Sequence, residues 1–218
     1  MYTFDDGLGN ILFPTDNFSL AKDHFFLKKY LYRIFGNRYS TKKIKKTTKL
    51  HYTIYKNYKN SISDNCVFIG DIFNKYNLKK NFKEESCTII LGTILSEYFK
   101  GQDIFLIKEK FKSFINQLNG LIFIIPHPRS DDMYEYIKNK KNIIVIDSNK
   151  ISEEIIFEIK SKYKIIDLYG FCSSSQFYFL NYENFNHHLI INEEKRVLEG
   201  WSKLVKSSKY SSIDLKKF

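Results

Sequence analysis

Three short segments of this chain carry residue types whose spacing could do chemistry. The first is Asp5-Asp6-Gly7-Leu8-Gly9, which places two carboxylates directly before a glycine. When two carboxylates lie close together, the negative charge of one raises the pKa of the other, so that one of them can serve as a base. The glycine after them lets the backbone turn and a substrate approach closely. Because Asp and Gly are also ordinary turn residues, a plain turn is the alternative interpretation.

The second segment places a histidine between two prolines, directly after the apolar run 121–125. Pro126 and Pro128 have no N–H to donate, so side chains must supply the contacts there. His127 and Arg129 together could bind a phosphate. His127 would act as a proton donor, and the Arg129 guanidinium would donate two parallel hydrogen bonds. A packed, hydrogen-bonded loop histidine is the alternative.

The third segment is a serine run, Gly170-Phe-Cys-Ser173-Ser174-Ser175. Three hydroxyls and several N–H groups after a strand could form a phosphate nest, and a solvated serine loop is the alternative. The Gly-x-Ser-x-Gly elbow of serine hydrolases is absent. The pair His187-His188 lacks the spacing of a helical metal site. The three cysteines form no Cys-x-x-Cys pair, which favours a reducing cytoplasm over disulfides or structural zinc.

Apolar periodicity predicts the elements that must position these segments. We predict helices at 16–36, 103–118, 131–140, 152–162 (capped by Ser152) and 193–206, and a loop at 37–49. Predicted strands lie at 50–55, 66–69, 87–92, 121–125, 142–147, 163–168, 177–180 and 189–191. Strands alternating with helices indicate an α/β fold with a doubly wound, mainly parallel sheet. Ligands bind such sheets at the carboxyl ends of the strands, where the loops of Gly92, His127 and Ser173 fall.

Composition excludes several classes of protein. Of the 218 residues, 43% are hydrophobic and 27% charged, which is globular and not disordered. The longest apolar runs are far shorter than the roughly 18–20 residues that cross a bilayer. The N-terminus has neither the basic nor the apolar region of a signal peptide. We therefore expect a cytoplasmic protein.

The net charge of +11 is a local feature. Eleven of the 35 Lys and Arg residues lie between His24 and Ser63, where there is no acidic residue, and the other 24 balance the 24 acids. This segment is either a solvated basic face or an anion-binding surface. Its lysines and nearby tyrosines also suit a nucleic acid, although no RRM, zinc-finger or helix-turn-helix signature accompanies them. Nucleic acid is therefore an unlikely partner.

The three segments, in this order, resemble the motif set of the bacterial sialyltransferases. The Asp-Asp-Gly-Leu-Gly-Asn start, Ile-Pro-His-Pro-Arg and Gly-Phe-Cys-Ser-Ser-Ser look most like glycosyltransferase family 52, the lipooligosaccharide sialyltransferases. Ile90-Leu-Gly92-Thr93, followed by Leu95-Ser-Glu97, is similar to the first strand and loop of that family's nucleotide domain.

This resemblance implies a GT-B fold and inverting transfer of sialic acid from CMP-sialic acid to a terminal galactose, without a cofactor or an obligatory metal. It implies that Asp5 or Asp6 is the general base and that a protonated His127 assists departure of the phosphate. The residues it implies for nucleotide binding are Gly92, Thr93, Pro126, His127, Pro128, Arg129, Ser173, Ser174 and Ser175. Such donors can stabilise a phosphate leaving group without a metal ion.

The resemblance also sets expectations for domains and partners. Residues 1–63 would be the remnant of an acceptor-side domain, with a basic helical segment, and 64–218 the Rossmann-like domain that binds CMP-sialic acid. Only four residues precede Asp5, whereas the family has a whole α/β domain there, so an inactive donor-binding fragment is the alternative. The expected acceptor is a galactose-terminated glycan of lipooligosaccharide. Peripheral contact with the anionic inner membrane and a homodimer are further expectations.

Overall fold

The computed structural model describes residues 1–5, 11, 41–69, 84–130, 134, 137, 140–191, 201–202, 205 and 209–218. The predicted helix at 16–36, and most of those at 131–140 and 193–206, lie outside these residues. The chain forms two compact units, Met1–Ile72 and Phe73–Phe218. The predicted domain boundary, between residues 63 and 64, differs from the boundary between these units. It precedes a strand that belongs to the sheet of the first unit.

The first unit contains a sheet of three parallel strands in the order β1-β2-β3. These are β1 (Tyr2–Phe4), β2 (Leu50–Thr53) and β3 (Cys66–Phe68). Strands β2 and β3 confirm two predicted strands. β1 was not predicted, because Tyr-Thr-Phe forms no apolar run like the one at 66–69 around β3. Pairing of β1 with β2 places Phe4 beside Tyr52, so the Asp-Asp-Gly segment begins at the carboxyl end of this sheet.

A short helix, α1 (Thr41–Thr47), precedes β2. The loop predicted for 37–49 is therefore wrong over these residues. Lysine is a good helix former, and a run with one apolar residue lacked the periodic signal for helix. The helix ends where the Thr48 N–H and hydroxyl both donate to the carbonyl of Ile44.

The second unit is built on six parallel strands in the order β6-β5-β4-β7-β8-β9. They are β4 (Glu84–Leu91), β5 (Ile122–Ile125), β6 (Ile143–Val145), β7 (Tyr163–Gly170), β8 (Phe185–Ile191) and β9 (Ser211–Asp214). The chain enters at the centre, fills one side and then returns to fill the other. This is the doubly wound order of dinucleotide-binding domains, with its switch point between β4 and β7. It confirms the predicted parallel α/β architecture.

Four α-helices are described in this unit: α2 (Leu95–Tyr98), α3 (Ile104–Gln117), α4 (Ser152–Lys160) and α5 (Ser174–Tyr178). Helix α3 confirms the predicted amphipathic helix, and the Asp103 side chain caps it by accepting from the N–H groups of Phe105 and Leu106. The predicted cap of α4 is wrong. Ile151 holds the capping position without a side-chain hydrogen bond, and Ser152 is already helical.

The strand predicted at 177–180 is also wrong. This stretch forms the end of α5 and a 3-10 turn, Phe179–Asn181. The aromatic residues favour a strand locally, but the Ser173 hydroxyl accepts from the Gln176 N–H and starts a helix instead. A second 3-10 turn, Leu215–Lys217, follows β9.

Two hydrophobic clusters cover the large sheet. Ile90, Ile122 and Ile124 pack in the cluster that contains Phe111 and Phe114 of α3. The neighbouring Ile89 and Leu91 pack in the cluster that contains α4. Because successive strand residues point to opposite faces, the sheet is buried on both sides, as all-parallel sheets require.

In the part of the chain that the structure describes, no helix is both long and apolar enough to cross a membrane.

Candidate functional site

A cleft of about 230 Å³ opens at the carboxyl ends of β4 and β5. Its walls come from the segments that follow these two strands, namely Thr93, Ile94, Glu97, Tyr98, His127 and Arg129. The sequence analysis placed a ligand site at this edge and named Thr93, His127 and Arg129 among its residues. The fold brings these three together.

Gly92 allows the two loops to approach each other. Its N–H donates to the carbonyl of Ile125 at 2.8 Å, which joins the ends of β4 and β5. A Cβ at position 92 would lie 2.8 Å from the His127 nitrogen, 3.0 Å from the Cα of Pro126 and 2.5 Å from the Tyr134 hydroxyl. A side chain therefore does not fit without moving the histidine loop. Gly92 does not line the cleft, but its lack of a side chain allows the loop of His127 to lie against the end of β4.

The half-buried His127 has its ring oriented by its own loop. The Arg129 N–H donates to Nδ1 at 3.1 Å, and the Ser130 N–H and hydroxyl donate to the His127 carbonyl. A nitrogen that accepts a hydrogen bond carries no proton, so in the neutral ring the proton is on Nε2. The imidazole is thus set up as an Nε2–H donor.

The electrostatics of the loop favour the same neutral state. Burial lowers the pKa of His127, the Arg129 guanidinium lowers it further, and the Glu97 carboxylate opposes both. The family resemblance implies a protonated ring. In the unliganded geometry the neutral tautomer is favoured, and a phosphate dianion close to Nε2 would shift the balance towards the imidazolium.

Arg129 and Glu97 face each other across the cleft mouth. Their charged atoms, Nη1 and Oε1, are 3.5 Å apart, and both side chains are about two-thirds exposed (69% and 64%). An exposed ion pair of this kind contributes little to stability. An anion in the cleft could therefore replace Glu97 as the partner of the Arg129 guanidinium with little loss of free energy. Pro128, between His127 and Arg129, is exposed.

The serine run lies on the far side of the switch point, after β7. Ser173 is used as the cap of α5, and Ser175 is buried. The side chain of Gln176 fills the space above Gly170, and its amide donates to the carbonyls of Leu168 and His188. These contacts fix the run next to the sheet.

No serine of this run lines the cleft, although the adjoining Phe171 packs against the Tyr98 ring with centroids 5.0 Å apart. Cys172 is buried, and burial raises the pKa of its thiol to about 12, so it is not a nucleophile.

Asp5, in the first unit, is enclosed by hydrogen-bond donors. Its Oδ1 accepts from His51 Nε2 at 3.0 Å and from Asn60 Nδ2 at 3.2 Å, and its Oδ2 accepts from the Ile54 N–H at 3.0 Å. Its side chain is 7% exposed. Asp6, the other predicted carboxylate, lies outside the described residues.

Most of the chain matches the sequence pattern of one family. The sequence profile of glycosyltransferase family 52 matches residues 1–193. The chain belongs to glycosyltransferase family 52. This family 52 chain is also similar to the N-acetyllactosaminide alpha-2,3-sialyltransferase of Haemophilus influenzae (strain ATCC 51907 / DSM 11121 / KW20 / Rd). The two are 33% identical over 187 residues, which cover 84% of this chain and 54% of the relative. The chain therefore spans about half the length of that curated protein.

Several residues of the family 52 chain that shape these sites were not predicted. Glu97 and Tyr98 line the cleft because the short helix α2 turns them back over the end of β4. A four-residue helix gives no periodic signal. His51 and Asn60 contact Asp5 only because β2 pairs with β1, a pairing that the sequence did not reveal.

Proposed function

We propose that this chain is a sialyltransferase that uses CMP-sialic acid and transfers the sugar, with inversion, to a terminal galactose of lipooligosaccharide or a similar surface glycan. Family membership and the sialyltransferase relative support the reaction class. The observation that carries the donor assignment is the cleft at the carboxyl edge of the sheet, which His127 and Arg129 both line.

In this proposal the donor's phosphate lies against His127 and Arg129. The Nε2–H donates to a phosphate oxygen, and Arg129 leaves Glu97 to pair with the same group. Both contacts strengthen as negative charge develops on the departing CMP, which is what stabilises a transition state. Gly92, Thr93, Pro126 and Pro128 shape this loop, and Ser173, Ser174 and Ser175 complete the nucleotide site from the β7 side.

The acceptor hydroxyl is a poor nucleophile and needs a carboxylate to take its proton. One of the two carboxylates of the first unit, Asp5 or Asp6, supplies it. Since the chain itself offers a guanidinium and an imidazole for the phosphate, we propose that no metal ion is required.

We further propose a cytoplasmic protein that meets the anionic inner membrane through its basic segment, and that self-associates as a homodimer. The eleven uncompensated basic residues between His24 and Ser63 support the membrane contact. Nucleic acid binding is not part of the proposal.

The test is a transfer assay with CMP-sialic acid and a fluorescent galactose-terminated acceptor, in the presence and absence of EDTA. We expect EDTA-resistant transfer that falls about 10²-fold or more in His127→Ala. The control is Lys141→Ala, which changes an exposed side chain of the same unit that does not line the cleft. Transfer by His127→Ala at the rate of the unaltered chain would contradict the mechanism.

A second candidate function is a donor-binding module without turnover, since all the residues that line the cleft lie in the second unit. CMP binding that depends on His127, with no product formed over long incubation, would identify it.

A further inference from the structure

A second group of polar side chains lies on the strands β7, β8 and β9 of the large sheet, outside the lining of the cleft. Pairing of these strands places Tyr169 beside His188, and His188 beside Ser211. Asp167 precedes Tyr169 by two residues on β7, so its side chain lies on the same face of the sheet. The three strands therefore present an aspartate, a histidine and a serine side by side.

His188 contacts both of the other polar residues, one through each ring nitrogen. Its Nε2 lies 3.3 Å from Asp167 Oδ1, and its Nδ1 lies 2.6 Å from Ser211 Oγ. An ionised carboxylate can only accept a hydrogen bond, so Nε2 carries the proton and donates it to Asp167. Nδ1 is then unprotonated and accepts from the Ser211 hydroxyl. The proton of the serine therefore already points at a base.

Asp167 and Tyr169 hold the imidazole in this orientation. The hydrogen bond from His188 lowers the pKa of Asp167, burial opposes this shift, and a hydrogen bond from Asn186 Nδ2 at 2.9 Å lowers the pKa further. The carboxylate is therefore ionised at neutral pH. The Tyr169 ring stacks on the imidazole, with centroids 4.3 Å apart and planes 15° apart. The ring of His188 is thus fixed by one ionised partner and one stacked partner.

This geometry meets the requirements of an activated serine. A nucleophile and its base must lie within about 2.6–3.2 Å of each other, and a third group must orient the base. Such a triad is recognised by these roles and not by sequence position, and here the two ring nitrogens exchange the roles that they have in serine proteases. Ser211 is exposed, so a molecule in solvent can reach its Oγ.

The position of Ser211 also offers donors for an oxyanion. Among the described strands of this sheet, β9 is the last in the order, so alternate N–H groups along it point away from β8. Outward N–H groups close to the nucleophile are the kind of donor that stabilises the oxygen of a tetrahedral intermediate.

We propose that Ser211 and His188, with Asp167 as the positioning residue, form a second catalytic site that hydrolyses small acyl esters such as acetate esters. Ser211 is the nucleophile and His188 is its general base. This activity does not depend on the proposed sialyl transfer, so either one can fail without the other.

The reaction uses only water as its second reactant. Ser211 Oγ forms a bond to the carbonyl carbon, the C=O electron pair moves to the oxygen, and the hydroxyl proton passes to His188 Nδ1. When this intermediate collapses, the bond to the alcohol oxygen breaks and the alcohol takes the proton from the imidazolium. Water then attacks the acyl-serine in the same way and releases the carboxylic acid and the free Ser211 hydroxyl. The Asp167 carboxylate stabilises the imidazolium in both steps.

The test measures hydrolysis of p-nitrophenyl acetate by the unaltered chain and by variants of this site. We expect Ser211→Ala and His188→Gln to lower kcat about 10²-fold or more. Asp167→Asn should lower kcat with KM unchanged, because Asp167 orients the imidazole and does not touch the ester. The matched control is Ser212→Ala, which removes the next hydroxyl, on the opposite face of β9, and should leave kcat unchanged.

Covalent labelling identifies the nucleophile directly. A fluorophosphonate should add to Ser211 of the unaltered chain, and mass spectrometry of the peptides locates the added group. Ser211 is exposed, so Ser211→Ala leaves the packing of the sheet intact and decides the matter even if His188→Gln does not fold. Circular dichroism checks folding. Hydrolysis no faster than in buffer, a label at residues other than Ser211, or an unchanged kcat in Ser211→Ala would overturn the proposal.

Discussion

The backbone of its own loop determines which ring nitrogen of the neutral His127 carries the proton. The Arg129 N–H occupies Nδ1, and burial together with the guanidinium lowers the pKa of the ring. In the proposed reaction, the neutral imidazole presents a hydrogen-bond donor to the phosphate of the donor substrate, and the phosphate then raises the pKa of the ring. The sequence showed which residue types meet here, but the hydrogen bond that selects the tautomer depends on the turn between Pro126 and Ser130.

Gly92→Ala tests how closely the two loops must approach. The added Cβ would fall 2.8 Å from the His127 backbone nitrogen, so the histidine loop must move. We expect overpacking to cost about 1–3 kcal/mol of unfolding free energy and CMP affinity to fall with it. Urea unfolding and calorimetric CMP titration measure the two effects.

The matched control for that variant is Ser96→Ala, which creates the same side chain at an exposed position of α2. It should change neither stability nor CMP affinity. Gly92→Ala with both quantities unchanged would show that the loops tolerate a wider separation than the structure has.

At the scale of elements, apolar runs and periodic helices were predictable, and segments with neither signal were not. The buried strands of the large sheet and helix α3 follow from apolar runs and from 3.6-residue periodicity. β1 and β9 have three and four residues and exist because a neighbouring strand pairs with them. α5 replaced a predicted strand because one capping hydroxyl outweighed the β propensity of the aromatic residues after it.

His187 makes the junction between α5 and β8 sensitive to acid. Its ring is buried, and Nε2 donates to the Phe179 carbonyl at 3.2 Å. Burial lowers its pKa to about 4, partly opposed by that hydrogen bond. The unfolded chain, with an ordinary pKa of about 6.5, binds a proton first as the pH falls. The contribution of the neutral His187 ring to the unfolding free energy is therefore complete above about pH 6.5, and it is lost as the pH falls towards 4.

We predict that unfolding free energy falls between pH 7 and pH 4.5 by up to about 1.4 kcal/mol per pH unit for this one group. His187→Phe keeps an aromatic ring beside Phe185 and removes the titration, so it should flatten this part of the curve. Urea unfolding across the range makes the measurement, with Phe185→Leu as the neighbouring control that retains His187 and removes no titratable group. Parallel curves for the unaltered chain and His187→Phe would contradict the assignment.

At the scale of the whole molecule, the two units divide the proposed reaction. The second unit holds the cleft, Arg129 and His127, and the first unit holds the Asp-Asp-Gly segment. The sequence located three of the six residues that line the cleft, because strand ends in a doubly wound sheet mark the ligand edge. It could not locate Glu97 or the donors around Asp5, since these depend on a four-residue helix and on pairing between distant strands.

The central claim is that the cleft of the second unit binds CMP through His127, and one titration tests it most directly. Calorimetry with CMP, UMP and AMP would be run on the unaltered chain and on His127→Ala. The account predicts CMP-selective binding that weakens about 10–100-fold in His127→Ala, the cost of one hydrogen bond to a charged group. Circular dichroism confirms that both proteins are folded. If the folded chain binds no CMP, binds UMP and AMP equally well, or binds CMP equally well without His127, the account is contradicted.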